Sequence, residues 1–288
     1  MHKFHLINPK SLVEALEYLN QYGKEAKIIA GGTDLLVQLR NEDHKIAGVK
    51  VLVNIDSLPN LRHIKMDEDY ISIGALVNHA EIASSKLILD KVNFLSEAAS
   101  MIGSPQIRNR GTIGGNLINA SPAADTVPVM IALDAVVILQ SLTGSRKLPV
   151  RELFLKPYET CIKHDEILTE IKFRCLPEGS KTSFLKVGRR NALVIARLNI
   201  AVSLKTDEKG IIQDIRIAPG SVMPLPCRVV EAEKLLIDQT PNEEIINRAS
   251  KKVADTMVEK SGIRASTIYK KPVIEAITRR AIWECAND

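Results

Sequence analysis

The chain has 288 residues, room for about two ordinary domains at roughly 150 residues each. Apolar residues make up 45% and charged residues 25%, as in folded domains, and no polar or Pro/Ser-rich tract points to disorder. The formal charge of +5 is a mild bias over this length and the aromatic content is only 4%, so nucleic acid is excluded as the main partner.

Met1 to Lys10 holds no apolar core of signal-peptide length, and the longest apolar stretch, Val127 to Leu139, is broken by Asp134. The expectation is a cytoplasmic chain with no membrane insertion. Cys161, Cys175, Cys227 and Cys285 lie far apart without a CxxC pair, which fits reduced thiols rather than a zinc or iron–sulfur ligand set. The histidines are equally scattered; His2 and His5 sit at a predicted strand edge.

Along the chain, Leu12, Ala15, Leu16 and Leu19 share one helical face, Ser11 to Glu14 has capping-box spacing, and Gly23 closes that helix. Lys27 to Ala30 reads as a buried strand, followed by Gly31-Gly32-Thr33-Asp34 and an apolar-periodic helix from Leu35 to Leu39. Val51 to Ile55 and Tyr70 to Gly74 are strands, Leu95 to Met101 is helical, and Gly103-Ser104-Pro105 is a turn. After Asp125 come a short apolar helix, the strand Ala135 to Leu139 and a turn at Thr143-Gly144. Ile167 to Phe173 and Ser183 to Val187 are further strands, with Pro177 to Ser180 between them as the domain boundary. Ile195 to Leu204 and Ile211 to Ile217 form a hairpin, and the tail from Cys227 is mainly helical. The order implies an α+β fold.

Two glycine-rich segments carry the chemistry. In Ile28-Ile29-Ala30-Gly31-Gly32-Thr33-Asp34-Leu35, residues without Cβ let a ligand approach the backbone, and the N–H groups that open the next helix are unpaired donors suited to phosphate. Asp34 would repel a phosphate unless its carboxylate turns back to cap the helix. A capped turn with no ligand is the plainer reading of this segment alone. Neither GxGxxG nor GxxxxGK[ST] is present, which excludes the Rossmann and Walker sites. The second segment reads as another glycine turn, Gly111-Thr112-Ile113-Gly114-Gly115-Asn116, with Ser121 to Asp125 close behind. Asp125 is either an acceptor for polyol hydroxyls or a helix N-cap ahead of Pro128. Two such segments together imply a pyrophosphate gripped from both sides.

The strings at 28–35, 103–109, 111–117 and 121–125 resemble the FAD-binding subunit of the molybdenum hydroxylases, the family of xanthine dehydrogenase and carbon monoxide dehydrogenase, over essentially the whole chain. The resemblance implies a two-subdomain FAD-binding fold of the vanillyl-alcohol oxidase type over residues 1–175, with a small α/β part to about 55 and a strand-rich part from about 56. A smaller α+β domain over 180–288, a three-stranded antiparallel sheet with helices, would follow. It implies non-covalent FAD, with the pyrophosphate on the backbone of Ala30 to Leu35 and of Thr112 to Asn116, and side-chain bonds from Thr33, Thr112 and Asn116. Asp125 would hold flavin-side hydroxyls, Ile102 and Gly103 would lie against the isoalloxazine ring, Leu168 would make a backbone contact near it, and Lys186 would reach toward it. Without the resemblance, Lys186 reads as a solvated strand lysine.

Many relatives carry a polar or acidic residue where this chain reads Ala192-Leu193-Val194-Ile195-Ala196. The dispersed cysteines also argue against the extra [4Fe–4S] cluster of hydroxybenzoyl-CoA reductase. No catalytic acid or base is expected in this chain, because a flavin needs none for electron transfer. The implied partners are a small subunit with two [2Fe–2S] clusters and a large molybdenum-cofactor subunit, with NAD⁺, ferredoxin or a quinone as acceptor. The basic pairs Arg189-Arg190 and Arg279-Arg280 and the stretch Arg264 to Lys271 are candidate partner surfaces, or else solvated faces. A free-standing FAD oxidoreductase and a non-redox nucleotide-binding module are the alternatives.

Overall fold

The computed structural model describes residues 4–43, 46–189 and 195–287. His2, Arg190 and positions 192–194 of the apolar segment lie outside the described residues.

The chain opens with strand β1 (His5–Ile7), helix α1 (Leu12–Tyr22), β2 (Ala26–Ile29), α2 (Leu35–Arg40) and β3 (Val51–Asn54). The three strands pair in parallel in the order β1-β3-β2. Ser11 caps α1 by accepting from the Glu14 N–H, while the Glu14 carboxylate reaches back to the Lys10 N–H, one residue short of a full capping box. Gly23, at φ +54°, ends the helix. The core under this layer joins Ala15, Leu16 and Leu19 of α1 to Val51 and Val53 of β3.

The second layer is a five-stranded antiparallel sheet. It is made of β4 (Ile64–Asp67), β5 (Tyr70–Gly74), β6 (Val136–Ser141) and β7 (Gly144–Pro149), with β10 (Ile167–Arg174) at the centre of the order β4-β5-β10-β6-β7. Between β5 and β6 the chain forms α3 (His79–Ser84), α4 (Lys86–Lys91), α5 (Asn93–Ser100), α6 (Pro105–Arg108), α7 (Ile113–Asn119) and α8 (Thr126–Ala132). Short α9 (Val150–Leu153), β8 (Phe154–Lys156) and β9 (Glu159–Thr160) precede β10. Helix α8 is buried along its whole length, packed in this part against α5, α7 and α9.

The C-terminal part is the antiparallel sheet of β11 (Lys181–Val187), β12 (Leu198–Thr206) and β13 (Ile212–Gly220), followed by α10 (Val230–Glu233), α11 (Glu243–Ser261) and α12 (Thr267–Asn287). Alternation along β12 sets its two faces. Leu198, Ile200, Val202 and Leu204 join the core with α11 and α12, while Ala201, with Ala218 of β13 and Phe184 of β11, packs into the first core. Small residues on that face allow close approach: Gly220 has no room for a side chain against Asn199 and Pro128. The hairpin of β12 and β13 forms as its sequence predicts, except that β12 starts at Leu198 and Ile195 stays largely exposed.

Candidate functional site

The first glycine segment is the expected strand-to-helix turn. Ile28 and Ile29 belong to β2, where they pair with Val53 and Asn54. Beyond Ala30, among the described residues, the backbone N–H groups from Gly31 to Leu35 donate to no protein acceptor. A run of unpaired donors at the entrance of a helix is an anion cradle. Asp34 does not cap α2. Its carboxylate turns aside, accepting from Asn119 Nδ2 at 2.9 Å and, weakly, from the Thr33 hydroxyl at 3.4 Å. Partial burial raises its pKa, against the lowering effect of those two hydrogen bonds. The carboxylate thus ties the first segment to the end of α7 and leaves the backbone donors clear.

The second segment differs from the expected glycine turn: Gly114 and Gly115 lie in the first turn of α7. Thr112 is the N-cap, accepting from the Gly115 N–H at 3.1 Å. Ile113 and Gly114 donate to the Val77 and Ala75 carbonyls, and Asn116 donates to the Thr112 carbonyl. Of the N–H groups expected to hold a pyrophosphate from this side, those from Ile113 to Asn116 therefore already have acceptors. What this wall offers is side chains. The Thr112 oxygen accepts from Gly115, so its own hydroxyl hydrogen is free to donate outward. The Asn116 carbonyl oxygen accepts from the buried Thr126 hydroxyl at 2.7 Å, which fixes its amide NH₂ as the outward group. Gly114 is a packing glycine against Ala75, whereas a Cβ on Gly115 meets only the Thr112 hydroxyl.

The two segments touch. A Cβ on Gly31 would stand 2.6 Å from the Arg110 carbonyl carbon and nearer still to its oxygen, and the Gly111 Cα faces Thr33. Behind this contact His79 donates its backbone N–H to the Gly111 carbonyl. Its ring is 2% exposed with Nδ1 unpartnered, and burial, then the Arg108 charge, lowers its pKa to about 4.

A buried polar cluster lies where the C-terminal sheet meets α8. The Lys186 ammonium donates to Asp125 Oδ2 at 2.6 Å and to the Met101 carbonyl at 3.0 Å, and Asn199 Nδ2 donates to Asp125 Oδ1 at 2.9 Å. Both charged side chains are nearly inaccessible. Burial raises the Asp125 pKa, against the opposing pull of Lys186 and Asn199. Asp125 stands at the N-cap position of α8, as one of its two readings has it, but its side chain makes no capping bond and is held by Lys186 and Asn199 instead; Lys186 is not a solvated lysine. The loop carrying Ile102 and Gly103 is clamped by Arg108, whose guanidinium donates to both carbonyls at 3.0 and 3.1 Å. Leu168 is buried at a bulge in β10; next to it, the Thr169 carbonyl accepts from Ala75, linking this strand to the Gly114 wall.

Asn199, Asn119, Arg108 and His79 complete the arrangement and escape sequence reasoning, because each acts through a partner distant in the chain or on another element. Among the described residues there is no cluster of metal-ligating side chains and no helix long and apolar enough to cross a membrane.

A run of free backbone donors near hydroxyl and amide groups, with a buried carboxylate–ammonium pair in the same α+β chain, fits the class of proteins that hold a nucleotide cofactor. Comparison with known proteins gives the family. Residues 2–173 match the FAD binding domain in molybdopterin dehydrogenase, and residues 183–285 match the CO dehydrogenase flavoprotein C-terminal domain. The chain is 33% identical to the glyceraldehyde dehydrogenase medium chain of Sulfolobus acidocaldarius, covering 99% of each. It is 36% identical to the 6-hydroxypseudooxynicotine dehydrogenase complex subunit alpha of Paenarthrobacter nicotinovorans, covering 97% of this chain and 93% of that one. A carbon monoxide dehydrogenase structure from Hydrogenophaga pseudoflava superposes with a TM-score of 0.91 at 28% identity, over 99% of this chain and 97% of that chain. The protein belongs to the FAD-carrying medium subunits of the molybdenum hydroxylases, as its glycine motifs imply; it is an oxidoreductase subunit and FAD is its cofactor.

Proposed function

We propose that this chain is the electron-exit subunit of its complex. Electrons released at a molybdenum cofactor in a large subunit cross the two [2Fe–2S] clusters of a small subunit, reach FAD here, and leave to NAD⁺ or another acceptor. Bound FAD supplies the exchange between one-electron and two-electron carriers. The protein's part is to bind, orient and tune it.

The donors of Gly31 to Leu35 receive the pyrophosphate, with Thr112 and Asn116 donating from the opposite wall and Gly115 allowing close approach. Asp125, whose oxygens keep accepting capacity beyond Lys186 and Asn199, takes hydrogen bonds from the flavin-side hydroxyls. The clamped loop at Ile102 and Gly103 supports the ring, with the Leu168 backbone at its edge. Lys186 is held by Asp125 and the Met101 carbonyl as the buried cation that opposes negative charge on the reduced ring. The FAD-binding domain spans residues 1–175 and the C-terminal domain 180–288.

The observation that carries this reading is the run of unpaired N–H groups at Gly31–Leu35, set against fixed side-chain donors on α7. The test is to purify the complex and measure flavin, iron and molybdenum per chain. One FAD per copy, with iron–sulfur and molybdenum subunits co-purifying, is expected. A flavin-loaded chain that purifies alone supports a free-standing oxidoreductase instead, and a colourless preparation that takes up no FAD refutes the flavin role.

A further inference from the structure

One corner of the C-terminal part is apolar and basic at once. Ile195, Ile263 and Ile268 are 79%, 86% and 87% exposed, the most exposed large hydrophobic side chains among the described residues. Each stands close in sequence to one cationic seam: Arg197, two residues after Ile195, stacks its guanidinium over the Tyr269 ring at 4.7 Å, Ile268 directly precedes Tyr269, and Ile263 directly precedes Arg264. The same corner collects cations. Arg197, Arg264 and Lys270 have no carboxylate partner among the described residues, and exposed Arg189 follows the end of β11. Burial, then the charges of Arg197 and Arg264, lowers the Lys270 pKa, as expected of like charges held close together. Helix α12 has no acidic residue in its first turn, so its dipole adds positive potential. The next residue, Lys271, is paired, with Asp255 at 2.8 Å.

The corner adjoins the cofactor site. Arg197 stands two residues before Asn199, which holds Asp125. Lys270 Nζ donates to the Ser221 carbonyl at 2.6 Å, and the preceding Gly220 packs against the Asn199 amide.

We propose that this corner is the docking surface for a small acidic one-electron carrier protein, which exchanges electrons with the flavin. The proposal rests on the flavin reading above and names the acceptor within it. Unbalanced cations around exposed isoleucines match a negatively charged partner with an apolar centre. The few residues involved fit the small interfaces of transient electron-transfer pairs. Each two-electron oxidation of the flavin reduces two carriers by one electron each and releases the flavin's protons to solvent.

The test mixes reduced plant-type ferredoxin with the oxidised, FAD-loaded complex and follows bleaching of the flavin band. This direction works whichever way electrons flow in the cell. The second-order rate should fall steeply with salt and exceed that for a basic carrier protein of similar potential. Arg264→Glu combined with Ile268→Asp should slow it about tenfold or more, with FAD content and flavin reduction by a small neutral dye unchanged. A ferredoxin rate indifferent to salt and to these substitutions overturns the docking surface. So does loss of the iron–sulfur or molybdenum subunit from the variant, which assigns the corner to a permanent interface. Missing FAD or a dye-inert flavin in the unsubstituted complex refutes the underlying flavin reading instead.

Discussion

Replacing Gly31 by alanine probes the contact on which the cofactor wall depends. The new methyl carbon would stand 2.6 Å from the Arg110 carbonyl carbon, with backbone on both sides and no flexible side chain to swing away. The carbonyl oxygen is closer still, so restoring ordinary contact requires the two loops to part by about 1.5 Å. Overpacking of this kind costs about 1–3 kcal/mol, a fall of several degrees in the unfolding midpoint of a chain this size. FAD retention should fall further than stability does, because the displaced strand end carries the donor run from Gly31 to Leu35 away from Thr112 and Asn116. Gly32→Ala is the comparison. At φ +73° its cost is mainly left-handed strain, about 1–2 kcal/mol, and the nearest obstacle is the movable Leu36 side chain at 3.1 Å. The readouts are calorimetric midpoint and FAD per chain after gel filtration. A Gly31→Ala protein that unfolds at the parent temperature with full flavin refutes the role of the Gly31–Arg110 contact in holding the two segments together.

His79 gives a pH signature. Its pKa of about 4 in the folded chain lies below its ordinary 6.5, so on acidification the unfolded state takes up a proton that the folded state refuses. Stability should therefore fall as pH drops through that window, by about 2 kcal/mol from about pH 7 to about pH 5. His79→Phe should flatten this part of the urea-midpoint profile, and an unchanged slope counts against the burial argument. Asp125→Asn strands a buried ammonium and should cost about 3–5 kcal/mol in urea unfolding, with Asp125→Leu/Lys186→Met recovering much of it; a single-variant loss below about 1 kcal/mol contradicts the buried pair. Thr112→Val removes a helix cap worth about 1 kcal/mol and an outward donor, so it should lose flavin, while Thr112→Ser should keep both. Equal flavin content in the two variants removes the Thr112 hydroxyl from the site.

Elements with strong patterning were legible in the sequence, and those shaped by their edges were not. Helix α1, with its apolar face and its Ser11 and Gly23 ends, and strand β5, with its alternation, form where they are expected. Strands β4 and β7 went unread because Ile-Lys-Met-Asp and Gly-Ser-Arg-Lys-Leu-Pro are mostly polar, as suits the two edges of the five-stranded sheet. Helix α3 left a signal that could have been followed, since Asn78 and Glu81 form a complete capping box. In the site, the Gly31-Gly32 turn was readable from local chemistry. The Gly114-Gly115 pair was misread as a turn because glycine breaks helices in isolation, whereas Thr112 and the carbonyls of Ala75 and Val77 hold these two in one. No local pattern reports that Asp125 meets Asn199 across 74 positions.

The contact of Gly31 with Arg110 also bears on how the protein reaches its native state. The cradle belongs to a parallel layer complete by Asn54, yet its backing arrives almost eighty residues after the glycine it covers. Closing so long a loop before any contact repays its entropy places this wall late in assembly, after the local helices have formed. Lys186 must also cross 61 positions to meet Asp125. A nascent chain released before its C-terminal sheet emerges would carry the phosphate cradle without the seam beside it. FAD bound across cradle and seam would favour the finished fold over the partial one and so would stabilise the contacts that join them.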